Sequence, residues 1–132
     1  MSSSAKRIGC VIVAHGNVAQ CLMDAVQGIL GTQANWIAIS NTGKGLQELS
    51  DVVRKAMASL CDDCEVVLIS DMPGGSCYHV CQEIVTENEG LRTLTGVNLM
   101  MLLEFFVKRE RTDVDKLVSM ARERGRDSVR IV

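Results

Sequence analysis

The chain has 132 residues, with 14 Lys plus Arg against 16 Asp plus Glu and a formal net charge of -2. That balance supplies no basic field for a phosphodiester backbone, and one Trp, one Tyr and two Phe leave few stacking surfaces, so nucleic acid is excluded as a partner. A chain of this length with 47% hydrophobic residues can close one core over a sheet, which predicts a single domain over 1–132.

The polar start, MSSSAKR, is expected to leave residues 1–6 disordered. The apolar run Ile8–Ala14 that follows reads as a strand covered on both faces, since it lacks polar alternation. It is too short, and too soon interrupted by His15, for a signal peptide, so the expected location is cytoplasmic. From Val18 to Leu30 the period becomes helical, with Leu22, Ala25, Val26, Ile29 and Leu30 on one face and Gly31 as the stop. Trp36–Ser40 is the second strand. Leu46 to Leu60 is the second helix, aligning Leu46, Leu49, Val53, Met57 and Leu60.

Glu65–Ser70 is the third strand, and Cys77 to Glu89 the third helix, ended by Gly90. Leu91–Thr95 is the fourth strand, and a fourth helix begins near Asn98. Its apolar run, VNLMMLLEFFV, is well short of the roughly 18 residues that cross a bilayer and contains Glu104, so it reads as a buried or associating face. A fifth helix is predicted from an N-cap at Thr112 to Gly125, with Asp113 and Asp115 in its first turn. The alternation in DSVRIV predicts a last strand at a sheet edge.

Strands alternating with helices imply an α/β fold with a doubly wound, mostly parallel sheet. Right-handed crossovers with the first strand inside the sheet predict the order 2-1-3-4. Ligands in such sheets gather beyond the carboxyl ends of the strands where the winding reverses, here between the first and third strands. The loops arriving there are AHGN and SDMPGGS.

Six cysteines raise the question of metal or redox chemistry. CDDC (Cys61, Cys64) and CYHVC (Cys77, Cys81, with His79) look like two halves of a zinc site, but the strand between them would hold the pairs about 20 Å apart. A thioredoxin-like pair belongs at a helix N-terminus, whereas CDDC follows a helix and carries two aspartates. Reduced thiols packed as small hydrophobes are therefore expected.

The two converging loops carry a different chemistry. His15 offers a nitrogen nucleophile near neutral pH. Asp71 is suited to hold the Nδ1 proton, leaving Nε2 free and steadying the cation formed on its substitution. In MPGGS, Pro73 stiffens the turn, Gly74 and Gly75 let backbone amides face inward, and Ser76 opens a helix whose N-terminus is an anion site. Nucleophile, orienting carboxylate and oxyanion cradle describe a phosphohistidine site, with no metal and no cofactor expected. The plainer alternative is a strand-end histidine entering solvent, Asp71 capping a turn, and ordinary loop glycines.

Other readings fail on particular residues. A receiver domain needs an acidic pair after the first strand, where this chain has His15 and Asn17; a histidine phosphatase needs an arginine where Ala14 stands. A tetrapyrrole chelatase shares the histidine-glycine pair, and His79 is a conceivable second ligand, but the downstream serine, arginine and proline are missing. NTGKG is too poor in glycine for a mononucleotide loop.

VIVAHGNVAQCLMDAVQGILG, LISDMPGGS and TGVNLMMLLE resemble, in order and spacing, three signature stretches of the mannose-type enzyme IIA components of the bacterial sugar phosphotransferase system. The resemblance covers nearly the whole chain from Ile8 onward. It implies a phosphoryl carrier in which phosphorylated HPr donates to His15 Nε2 and a separate IIB protein accepts. It implies that Asp71 orients the ring, and that Ser76 with amides of Gly74 and Gly75 contacts the phosphoryl group. It further implies a homodimer whose final strand is exchanged and antiparallel, and peripheral association with the membrane subunits IIC and IID. Cys77 and His79 stand where the family usually has proline and asparagine; Cys21 and Met100 stand where it often has glycine and proline. A competing reading within reach of the same residues is a regulatory docking module, in which the phosphorylation state of His15 controls a kinase or regulator.

Overall fold

The computed structural model describes residues 7–132, so the expectation for residues 1–6 lies outside the described residues. Four strands, β1 (Ile8–Ala14), β2 (Trp36–Ser40), β3 (Glu65–Ser70) and β4 (Arg92–Thr95), alternate with α1 (Val18–Leu30), α2 (Leu46–Ser59), α3 (Ser76–Glu87) and α4 (Leu99–Lys108). A fifth helix, α5 (Val114–Asp127), follows directly. The sheet is parallel throughout, in the order β2-β1-β3-β4. The central strand β1 is buried at every position, as its unbroken apolar run requires.

Alternate side chains of β1 serve two cores. Cys10, Ile12 and Ala14 face α1, α4 and α5, where Met23, Phe105 and Leu117 are fully buried. Val11 and Val13 face α2 and α3, against Leu49, Val53, Val80 and Ile84. Each buried Val, Ile, Leu, Met or Phe side chain contributes about 1.5–3 kcal/mol, and because successive residues of a strand point to opposite faces, the one apolar run of β1 supplies both cores. The chain leaves β1 through α1 on one face to β2 and returns through α2 on the other face to β3, so the winding reverses at β1 and opens a crevice beyond the carboxyl ends of β1 and β3.

Several boundaries differ from the sequence reading. The fifth helix is capped by Asp113, whose Oδ1 accepts the Lys116 amide at 2.9 Å, rather than by Thr112. It runs through Gly125 to Asp127, because Gly125 is a packing residue and not a stop: a Cβ there would lie 3.2 Å from Met101 Cβ. Asn98 Nδ2 donates to the Gly125 carbonyl at 3.0 Å, and Asn98 Oδ1 caps α4 by accepting the Met101 backbone amide at 3.0 Å. With Asp127 in the helix, residues 128–132 form no strand within this chain, and the sheet among the described residues has four strands rather than five.

The cysteines also depart from expectation. Cys61 and Cys64 are joined in a disulfide rather than present as thiols. The Cys64 amide donates to the Cys61 carbonyl at 3.0 Å, and this tight turn after α2 brings the two Cα atoms to 5.2 Å. Cys10, Cys77 and Cys81 are free and buried, and Cys21 is free and exposed.

Candidate functional site

Parallel pairing of β1 with β3 sets Val13 opposite Ser70, so the next residues to leave the two strands are Ala14 with His15, and Asp71. Burial of β1 holds the base of this arrangement rigid, while the His15 side chain emerges 44% exposed and the Asp71 side chain stays 14% exposed beneath it. Asp71 Oδ2 accepts the His15 backbone amide at 2.9 Å and lies 2.8 Å from His15 Nδ1. One carboxylate oxygen thus fixes both the strand exit and the ring.

Burial pushes the Asp71 carboxyl up, but the hydrogen bonds from the His15 amide and ring, with the charge the ring carries when protonated, outweigh it, leaving the group below its ordinary value. An ionised Asp71 places the ring proton on Nδ1 and leaves the lone pair on Nε2.

The PGG turn closes over that nitrogen. Gly74 has φ +90, a conformation in which a side chain is strained. Gly75 lets the turn approach the ring closely: a Cβ there would sit 3.1 Å from His15 Cε1 and 3.6 Å from Nε2, so the ring would have to give by a few tenths of an ångström. Gly75 is also the N-cap of α3, extended and without a side-chain cap, and Ser76 is the first residue of the helix. The first helical bond runs from the His79 amide to the Gly75 carbonyl at 3.0 Å, so the preceding first-turn amides of α3 have no intrahelical acceptor. They and the helix dipole favour an anion beside the imidazole.

His15, Asp71 and Gly75 are therefore together, with Gly74 at the turn and Ser76 opening the helix one residue on. His79 is exposed and lines a cleft with Leu46, Gln47, Val80 and Glu83 between α2 and α3. Asn41 was not singled out by sequence. Its Oδ1 accepts the Gly16 amide at 3.3 Å and its own amide donates to the Ala14 carbonyl at 3.1 Å, bracing the histidine loop from the β2 side. Its position directly after a strand neighbouring β1 is the signal that marks it. Buried Ser70 donates to Thr95 at 2.8 Å and steadies the β3 exit. Cys77 is wholly buried in the first turn of α3; burial and the negative charge of Asp71 raise its thiol pKa.

Comparison with known proteins gives a consistent picture. Over 126 residues the chain is 32% identical to the "PTS system mannose-specific EIIAB component" of Escherichia coli K12, covering 93% of this chain but only 39% of that protein. It is 26% identical over 125 residues to the "PTS system fructose-specific EIIA component" of Bacillus subtilis, covering 94% of this chain and 86% of the relative. The crystal structure of phosphotransferase system component EIIA from Streptococcus agalactiae has the same fold, with a TM-score of 0.85 at 23% identity over 94% of this chain and 96% of that one. A family model described as "PTS system fructose IIA component" matches residues 9–122, and the chain belongs to this mannose-type EIIA family of the sugar phosphotransferase system.

Proposed function

We propose that the chain is a phosphoryl carrier, accepting on His15 Nε2 and passing the group on. The observation that carries this reading is the 2.8 Å approach of His15 Nδ1 to Asp71 Oδ2, with Nε2 turned toward Gly75. The Nε2 lone pair attacks the phosphorus of a phosphohistidine on HPr; the new N–P bond forms as the old one breaks, and the donor imidazole leaves with the electron pair. The Nδ1 proton stays on His15, where Asp71 balances the imidazolium character of the phosphorylated ring. Onward transfer to a separate IIB protein is the same step in reverse.

A carrier must hold about two negative charges without trapping them. The first-turn amides of α3 and the Ser76 hydroxyl, with the Gly74–Gly75 backbone curved around them, are weak enough for that. In-line positioning supplies most of the rate, as phosphoryl transfer asks little covalent chemistry of the protein.

The rest of the reading concerns assembly. Residues 1–132 act as one domain in the cytoplasm, in peripheral association with the IIC and IID membrane subunits; no helix among the described residues is long and apolar enough to cross a membrane. The working unit is a homodimer in which residues 128–132 of one copy add an antiparallel strand to the β4 edge of the other. Val129, Ile131 and Val132 are strongly exposed, and β4 ends the sheet beside a cleft lined by Thr93, Leu94, Thr95 and Val129. An apolar tail next to an open edge is stabilised when the two pair.

Incubation with phosphoenolpyruvate, enzyme I and HPr tests the carrier reading. One acid-labile phosphoryl group per chain is expected, absent in His15→Ala; label retained by that variant overturns it. Light scattering with and without residues 128–132 tests the dimer.

A further inference from the structure

We infer that His15, Asp71 and Cys77 form a site for a borderline divalent transition cation, best matched by Zn2+, whose occupancy excludes phosphorylation of His15. A ring nitrogen, a carboxylate oxygen and the Cys77 sulfur lie within 4.8 Å of one another. Tetrahedral zinc holds such donors roughly 3.3–3.6 Å apart, so small χ rotations bring the three around one ion. They come from three rigid places: the carboxyl end of β1, the carboxyl end of β3 and the first turn of α3.

Two features of this cluster are left unused by phosphoryl transfer. Asp71 Oδ2 takes both contacts from His15, while Asp71 Oδ1 is buried and accepts no hydrogen bond from any of the described residues. A buried carboxylate oxygen without a donor is costly unless something cationic faces it. The Cys77 thiol, also closed off from water, supplies a sulfur that a nucleophilic histidine does not need. Nitrogen, oxygen and sulfur from three residues suit zinc better than magnesium or calcium, which take oxygen ligands.

Binding displaces the thiol proton to solvent and changes no oxidation state. If the ion takes Nε2, the nucleophilic lone pair is occupied; if it takes Nδ1, the bond to Asp71 is broken and the proton shifts to Nε2. Either arrangement stops the ring from accepting a phosphoryl group. This consequence rests on the carrier reading, whereas the metal site itself does not.

The test is titration of the full chain with Co2+ in the absence of reductant, which keeps the Cys61–Cys64 disulfide closed. One equivalent is expected to bind with a thiolate-to-cobalt charge-transfer band and the visible bands of a four-coordinate ion, and Zn2+ should displace it. The charge-transfer band is lost in Cys77→Ser, and the affinity falls at least 100-fold in His15→Ala, whose fold is checked by circular dichroism. Cys77→Ala, checked by circular dichroism, stands in if the serine variant unfolds. Absence of saturable binding overturns the site, as does a band that survives in Cys77→Ser and disappears in Cys21→Ser.

A second arm uses phospho-HPr prepared beforehand. One equivalent of Zn2+ should slow phosphoryl acceptance at least tenfold, with recovery in EDTA, and this zinc sensitivity should be lost in Cys77→Ser. Cobalt bound as expected on a chain that never accepts phosphate sinks the carrier reading alone. Phosphate accepted by a chain that does not bind cobalt sinks the metal site alone.

Discussion

Asp71 Oδ2 holds both the backbone amide and the Nδ1 of His15, at 2.9 and 2.8 Å, across 56 residues of sequence. The same oxygen therefore sets where the loop leaves β1 and which nitrogen of the ring carries the proton. A substitution that keeps the size of Asp71 but removes its charge separates these two effects.

Asp71→Asn is expected to slow phosphoryl acceptance on the order of 100-fold while leaving the chain folded. An amide can still bond the His15 backbone, but it no longer selects the Nδ1-protonated tautomer or balances the phosphorylated ring. Rapid-quench measurement with phospho-HPr, over a range of pH, distinguishes this from a structural defect: the pH profile as well as the rate should change. A rate within threefold of the wild type contradicts the assignment.

Gly75→Ala places a methyl group 3.1 Å from His15 Cε1, tighter than a normal contact, so the ring must yield by a few tenths of an ångström. Stability should change by less than about 1 kcal/mol, because the φ of -93 suits alanine. Phosphoryl acceptance should fall about tenfold, as reactive alignment is lost before packing is. Urea denaturation and transfer kinetics on the same sample measure the two effects.

Acid sensitivity follows from the depressed Asp71 carboxyl. Since its native pKa lies below the unfolded value, its contribution is fully present above the ordinary carboxylate range, about pH 4, and is lost as pH falls through the native value. The stability gap between wild type and Asp71→Asn, measured by denaturant unfolding in EDTA, should therefore narrow progressively as pH falls below about 4. A gap that stays constant over that window argues against ionised Asp71 as a native-state feature.

Arg109→Met tests the opposite end of the sheet. Arg109 is 7% exposed, donates from Nη1 to the Ile8 carbonyl at 3.1 Å, and lies 4.7 Å over the Phe106 ring. Burial lowers its pKa. Methionine keeps the stem volume but leaves the Ile8 carbonyl without that donor, with an expected loss of about 2–3 kcal/mol by urea denaturation. Phosphoryl acceptance below the unfolding transition should stay within about twofold of wild type, because Ile8 begins the strand that His15 follows.

Much of this protein was readable from local pattern. The β1, α1, β2 and β3 boundaries follow from the switch between continuous apolar runs and helical spacing, since burial on two faces or one leaves its own period in the residues. The strand order and the convergence of the His15 and Asp71 loops follow from crossover handedness once the uniformly apolar first strand is placed inside the sheet. Contacts between distant residues leave no such period. Gly125 looks like a helix stop until Met101 is seen against it, and DSVRIV looks like a strand although no edge within its own chain receives it. Asn41 bracing the histidine loop, the unpartnered Oδ1 of Asp71, the approach of Asp71 to Cys77, and the closure of Cys61 on Cys64 depend on how separate segments or turn atoms meet in space. Sequence determines which faces must be hidden, because hydrophobic burial acts residue by residue; only the tertiary structure decides which polar atoms end up within reach of one another, because hydrogen bonding and coordination depend on fractions of an ångström.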